Sequence, residues 1–219
     1  MAWISRAGGL TQAEMENNAN IVINTLRTWG YDDRTIAGIL GNMQNESSIN
    51  PERIEAGGGG GYGLVQWTPQ SVLINHCNTL GLSPYTSGDV QLKVIDQELG
   101  KDSRVNEWYS GQAFIDNYKP SGATDDMVGK TGNDFINNTM GWSPSKLAIM
   151  FMTCYERPNY DPSVNHVEGR KRDANTWYEY MGGVVPPTPS GGNGGVLFLD
   201  AWGGSLLIPK KRYLKEVII

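Results

Sequence analysis

The sequence predicts a mainly α-helical domain over residues 1–182, interrupted by a small glycine- and aromatic-rich loop or hairpin and followed by a linker and a short tail. Three observations carry that expectation. Apolar residues recur at steps of three and four in several segments, two of those segments open on strong capping sequences, and the composition breaks sharply after Gly182. A chain of 219 residues can form one full core with an extension.

The first helix opens at Thr11 with Glu14 three residues on, a capping box, and Met15, Ala19, Val22, Leu26 and Trp29 form its buried stripe before Gly30 stops it. Asp32 or Asp33 caps a second helix whose stripe is Ile36, Ile39, Leu40 and Met43, and Asn50-Pro51 breaks the chain after Ser47. Residues 51–69 read as the loop or hairpin. Helical patterns return at 71–80 and 89–99, with Val90, Ile95 and Leu99 facing the core, whereas 110–134 reads as a long irregular polar excursion. Ser143-Pro144 starts a helix through Leu147, Ala148, Phe151, Cys154 and Tyr155, and a last one spans 164–181 with Trp177 and Met181 on its buried side. Residues 183–195 are a Pro/Gly linker, and 196–219 is a docking segment or the start of a second domain.

Composition excludes several function classes. Seven Trp and ten Tyr are too many for a disordered chain, and the longest apolar stretch, broken by Asp200, Gly203 and Gly204, falls short of the ~20 residues of a membrane span. The net charge of -5 offers no patch for a phosphate backbone, so nucleic acid is not an expected partner. Residues 1–6 lack the pattern of a secretory signal, so any export is expected to use another route. Cys77 and Cys154 read as buried free thiols. Neither His76-Cys77 nor the isolated His166 has metal-ligand spacing, Asp125-Asp126 does not begin a calcium loop, and no cofactor is expected. The Gly57–Gly61 run is not a phosphate cradle, because no Gly-Lys-Ser/Thr follows; without side chains it is expected to move against a polymer.

One polar residue breaks the local rule. Extending the stripe of the second helix by three residues beyond Met43 reaches Glu46, which places a carboxylate on the line that buries the helix. A half-desolvated carboxyl holds its proton to higher pH, as a general acid must. Periodicity alone equally allows the stripe to end at Met43 with Glu46 in water.

The neighbouring residues add a resemblance. Glu46-Ser47, Asn50-Pro51 and Gly63-Leu-Val-Gln66 resemble the Glu-Ser, Asn-Pro, Gly-Leu-Met-Gln pattern of lytic transglycosylases and goose-type lysozymes. The longer phrases Leu-Gly-Asn-Met-Gln-Asn-Glu46-Ser, Tyr62-Gly-Leu-Val-Gln-Trp-Thr-Pro69 and Tyr155-Glu-Arg-Pro158 resemble the phage tail lysozyme family, over roughly residues 11–182. That resemblance implies a lysozyme-like fold, a groove flanked by the Gly/aromatic loop, and muramidase action on bacterial peptidoglycan. It also implies a place at the virion tail tip among tail knob proteins, opening the host wall during entry. Glu46 matches the family's catalytic glutamate, Gln66 the glutamine lining the sugar groove, and Tyr155 the tyrosine facing the site from a later helix.

The remaining site expectations follow from chemistry. The Gln66 amide offers a donor and an acceptor to a sugar, and Tyr62 and Trp67 can stack on sugar faces or else simply cover the core. Glu156 and Arg157 are expected to pair and orient Tyr155. A second carboxylate is not identified: Asp96, Glu98, Glu107, Glu156 and Asp161 are candidates, and Asp125 or Asp126 could act as a base if the excursion covers the groove. Two alternatives stand beside hydrolysis. One is a lytic transglycosylase, in which the muramic 6-hydroxyl attacks and gives 1,6-anhydro products; the other is a wall-binding tail module without catalysis.

Overall fold

A computed structural model describes residues 1–185; the linker from residue 186 and the 196–219 segment lie outside the described residues. Eight α-helices are present among the described residues: α1 (Gln12–Thr28), α2 (Asp33–Ser47), α3 (Ser71–Leu80), α4 (Gly88–Asp96), α5 (Gln112–Tyr118), α6 (Gly132–Ile136), α7 (Pro144–Phe151) and α8 (Val167–Tyr180). The architecture is mainly α, as the periodicity predicts. No helix among the described residues is long and apolar enough to cross a membrane.

α1 begins on the Thr11–Glu14 capping box and buries Ala19, Val22, Ile23 and Leu26, while Met15 and Trp29 sit at the edge of the core. Asp32 caps α2 by accepting from the Arg34 amide at 2.9 Å. α2 is the axis of the domain. Every residue from Thr35 to Met43 is buried, because α1, α7 and α8 all pack on it. Its two interior glycines cost helix propensity but permit close packing: a Cβ on Gly41 would lie 2.7 Å from the Ala174 nitrogen and the Arg170 carbonyl oxygen of α8, and one on Gly38 would lie 3.0 Å from the Ala148 nitrogen of α7.

Two helices run on into π-helical turns, α4 through Gln97–Lys101 and α7 through Met152–Glu156. Such turns often mark functional sites; here they carry Glu98 and the Tyr155–Glu156 pair. The 51–70 segment is a loop closed by two isolated antiparallel bridges, Ile54 with Tyr62 and Tyr62 with Trp67. It is fixed to α4 by Gln91, whose side chain accepts from the Leu64 amide at 2.9 Å and donates to the Pro51 carbonyl at 2.7 Å.

The 110–134 excursion differs from expectation. It contains α5, two 3₁₀ turns and α6, the last opened by a Thr131–Asp134 capping box. Helices of seven and five residues span too few turns to show a period. The last helix starts at Val167 rather than 164, after His166 in a left-handed conformation.

The α2–α8 approach yields the first testable outcome. Gly41→Ala should destabilise the domain by about 1–3 kcal/mol, since the neighbouring atoms are backbone and cannot rotate away. Gly8→Ala, with nothing within 4 Å of its Cβ, serves as the silent control. Thermal unfolding of the two variants checks this; an unchanged midpoint for Gly41→Ala would mean that α8 does not pack this closely.

Candidate active site

Glu46 lies on the last turn of α2, where the chain then reverses sharply through Ser48 and Ile49, both left-handed at φ 59° and 54°. Non-glycine residues adopt this region at a cost, and three side chains hold it. The Ser47 hydroxyl donates to the Leu64 carbonyl at 2.9 Å, the Asn50 amide donates to the Arg6 and Gly8 carbonyls at 2.7 and 2.6 Å, and Asn18 donates to the Ile49 carbonyl at 2.9 Å. The Glu-Ser…Asn-Pro phrase is therefore a turn that presents Glu46.

What Glu46 meets is Arg170 of α8, a side chain only 2% exposed. Its guanidinium donates to Glu46 Oε1, to Glu156 Oε2 and to Asn42 Oδ1, and its Nε donates to the Asn165 carbonyl at 2.9 Å. Asn42 is itself anchored by donating to the Gly38 and Ala148 carbonyls at 2.8 and 3.0 Å. One buried cation thus serves two carboxyls from different elements. The Glu156 side chain is 4% exposed and its Oε1 has no hydrogen-bond partner. Burial pushes its carboxyl up to about 8, against the opposing pull of Arg170 and with added repulsion from Glu46.

A groove of ≈ 550 Å³ runs past these groups. Glu46, Gln66, Trp67 and Tyr155 all line it, so four of the five residues singled out from the sequence converge on one cavity. Tyr62 does not. It is buried, with its ring edge-on to Tyr85 at 5.7 Å, and covers the loop core instead. Gln66 also differs from expectation: its amide nitrogen donates to the Arg53 and Gly63 carbonyls at 3.1 and 2.9 Å, so the amide donor is already committed to the backbone.

Trp67 and Tyr155 share a partner that the sequence did not single out from the other acids. Glu98, fully buried in the π turn after α4, accepts from Trp67 Nε1 at 3.0 Å, from the Tyr155 hydroxyl, and bonds His76 Nδ1 at 2.5 Å. The Tyr155 phenol is held far above its ordinary range by burial and by the Glu98 carboxylate. His76 is raised by its hydrogen bond to Glu98, with burial working the other way.

The other acids sort by position. Glu107 and Glu156 line the groove with Glu98, and so does Glu55, whereas Asp96 is bound elsewhere by Tyr31 and Lys101 and Asp161 is not among the lining residues. Arg157 pairs with Glu107, not with Glu156, because Glu156 points inward to Arg170. Asp125 and Asp126 pair with Lys119 and Lys146 and lie outside the groove lining. Cys77 and Cys154 are free and buried, and burial pushes the Cys154 thiol up to about 12, which leaves it un-ionised at neutral pH. Among the described residues no group of three His, Cys, Asp or Glu is arranged to hold a metal ion.

Asn42 and Arg170 went unread in the sequence. Arg170 does fall on the face of Ala174 and Trp177, four and seven residues on, but it sits in an Arg170-Lys-Arg172 run that reads as a solvated surface.

Comparison with known proteins gives a consistent answer. A curated relative, Morphogenesis protein 1 of Bacillus phage B103, is 31% identical over 183 residues, which is 82% of this chain and 43% of the relative. The chain therefore spans less than half the length of that relative. The sequence profile of the phage tail lysozymes matches residues 17–181, which includes Glu46, Gln66, Trp67, Glu98, Tyr155, Glu156 and Arg170. The chain belongs to the phage tail lysozyme family.

Proposed function

We propose that residues 1–182 form a muramidase that cleaves the β-1,4 bond between N-acetylmuramic acid and N-acetylglucosamine in peptidoglycan, with Glu46 as general acid. In this reading the protein acts from the phage tail tip, beside the tail knob proteins, and opens the host wall during entry. The observation that carries it is the state of the groove carboxyls. Glu98 is saturated by three donors and Glu156 is buried, while Glu46, 23% exposed, engages through Oε1 alone an arginine that is itself buried; the other half-exposed acid, Glu107, pairs with the exposed Arg157. The Glu46 Oε2 has no protein partner among the described residues and can reach a glycosidic oxygen.

An arginine beside a carboxylate ordinarily draws its proton away. Here two carboxyls divide one guanidinium, so the triad carries a net negative charge in a buried setting until it takes up one proton. Glu156, whose carboxyl burial raises, is the group that holds it. In the acid step Glu46 gives a proton to the leaving oxygen, and Arg170 stabilises the anion that Glu46 becomes.

A lytic transglycosylase is the second reading, favoured by the engagement of Glu98 and Glu156, which leaves neither free to activate water. Hydrolysis needs a base for water, and the less buried acids of the groove, Glu55 and Glu107, are the groups left to supply it. Internal attack by the muramic 6-hydroxyl needs no water.

Three measurements test these statements. Glu46→Gln preserves shape and cannot donate a proton, so lysis of purified walls should fall by at least roughly 10²–10⁴-fold with unfolding unchanged; undiminished lysis would remove Glu46 from the mechanism, and walls bound but uncut by the parent protein would favour the non-catalytic module. The parent's activity should decline as pH rises through about 8, because the Glu156 carboxyl keeps its proton below that value and loses it above, and its charge then competes with Glu46 for Arg170. In Glu156→Gln that carboxyl is gone, so the alkaline decline near pH 8 should be lost or displaced; an unmoved profile would show that Glu156 does not set it. Finally, the mass of released muropeptides separates the two reactions. Reducing muramic ends support hydrolysis, and ends lighter by one water support the transglycosylase.

A further inference from the structure

Next in the chain to residues that line the groove lies a cluster of aromatic rings that the acid chemistry does not use. Glu107, Arg157, Pro158 and Asn159 line the groove, and Tyr109 and Tyr160 follow them within two residues. Both tyrosines are about half exposed, at 53% and 51%, although each packs against the same inner ring. Tyr109 meets Phe114 edge-on at 5.2 Å, and Tyr160 meets Phe114 at 6.5 Å and the buried Tyr118 at 5.1 Å. Phe114 and Tyr118 lie 5.2 Å apart on α5.

The cluster is mounted on the site. The Tyr109 amide donates to the Cys154 carbonyl at 2.9 Å, next to Tyr155, and the Tyr118 hydroxyl donates to the Pro158 carbonyl on the groove rim. Tyr109 also folds back over Gly111, where a Cβ would lie 2.8 Å from the phenol oxygen. A contiguous patch of partly exposed rings on a soluble domain marks a contact surface, and a tyrosine presents an apolar body with a polar tip. A sugar polymer has the matching character, with C–H faces edged by hydroxyls.

We propose that Tyr109 and Tyr160 form an accessory glycan shelf that holds the strand where it leaves the groove beyond the Glu107–Arg157 wall. The proposal rests on the muramidase reading for its ligand, a peptidoglycan glycan strand. The shelf touches sugars remote from the cut bond, so its binding energy is available to seat long strands and absent for short ones.

The test separates the shelf from the chemistry. Binding is measured with the full chain carrying Glu46→Gln, so that no strand is cut, using peptide-free glycan strands of two sizes: an oligosaccharide that fits within the groove and a strand several times longer. Adding Tyr109→Ala and Tyr160→Ala should weaken the long strand by about 10-fold or more and leave the short one within about two-fold. Tyr160→Trp, restored in the Tyr109→Ala background, should recover much of the loss. Thermal unfolding of the double variant checks that the domain is intact, and the single variants replace it if it is not. Equal binding of the long strand, or an equal loss for both lengths, would overturn the shelf and leave the rings to a protein neighbour. Cleavage by the parent protein is scored independently: a parent that binds long strands through the tyrosines yet releases no fragments would sink the muramidase reading while the shelf stands.

Discussion

The Arg170 guanidinium is the interaction on which the site depends. A buried cation without partners is prohibitively unfavourable, and the fold answers that demand by bringing Glu46 from the end of α2, Glu156 from the turn after α7, and Asn42 from the middle of α2 to one point. The demand in turn dictates packing. α8 can place Arg170 at that depth only because Gly41 lets its backbone approach α2, and Asn42 can face it only because its own amide is bonded to Gly38 and Ala148. The position of Glu46 is thus set by the three-helix contact at the centre of the domain together with the bond from Ser47 to Leu64 of the loop.

A second buried charge governs the opposite side. Glu98 uses the π turn after α4 to reach three donors at once, and two of them, Trp67 and Tyr155, form groove surface. Both walls therefore hang from carboxyls withdrawn from solvent. The two systems meet at Tyr155 and Glu156, consecutive residues of one π turn that point to different partners, Glu98 and Arg170. An ordinary α-helical turn would rotate these side chains by a different angle, which is a physical reason for the widened turn to sit where it does.

Much of this was legible and some was not, for reasons that differ by residue. The capping boxes, the stripes of α1 and α2 and the displacement of Glu46 onto a buried line are local patterns, written within a few turns of one helix. The excursion hid α5 and α6 because each is too short to repeat. Tyr62 stays ambiguous in the sequence, since an aromatic beside glycines looks the same whether it faces a sugar or covers the core; the structure packs it against Tyr85. Arg170 is not legible because two of its partners, Asn42 and Glu46, lie more than a hundred residues away, and its own neighbours are polar. Glu156 was read with Arg157, its neighbour in sequence, although residues one apart on a helix point in different directions. The acids could not be ranked from sequence at all, since their roles depend on which cations the fold assigns to them.

The shared cation has an evolutionary corollary. In many enzymes the active site is paid for by stability elsewhere, so relaxed selection lets the site decay while the fold improves. Here loss of Arg170 would strand the buried Glu156 beside the half-buried Glu46 and cost about 3–5 kcal/mol, a large part of a domain's total stability of about 5–15 kcal/mol. Selection for folding alone would retain α8 and its arginine. In the proposed muramidase reading, a lineage drifting toward an inert wall-binding module has one inexpensive exit, replacement of Glu46 itself, so the identity of that position in a descendant would report whether the proposed chemistry is still under selection.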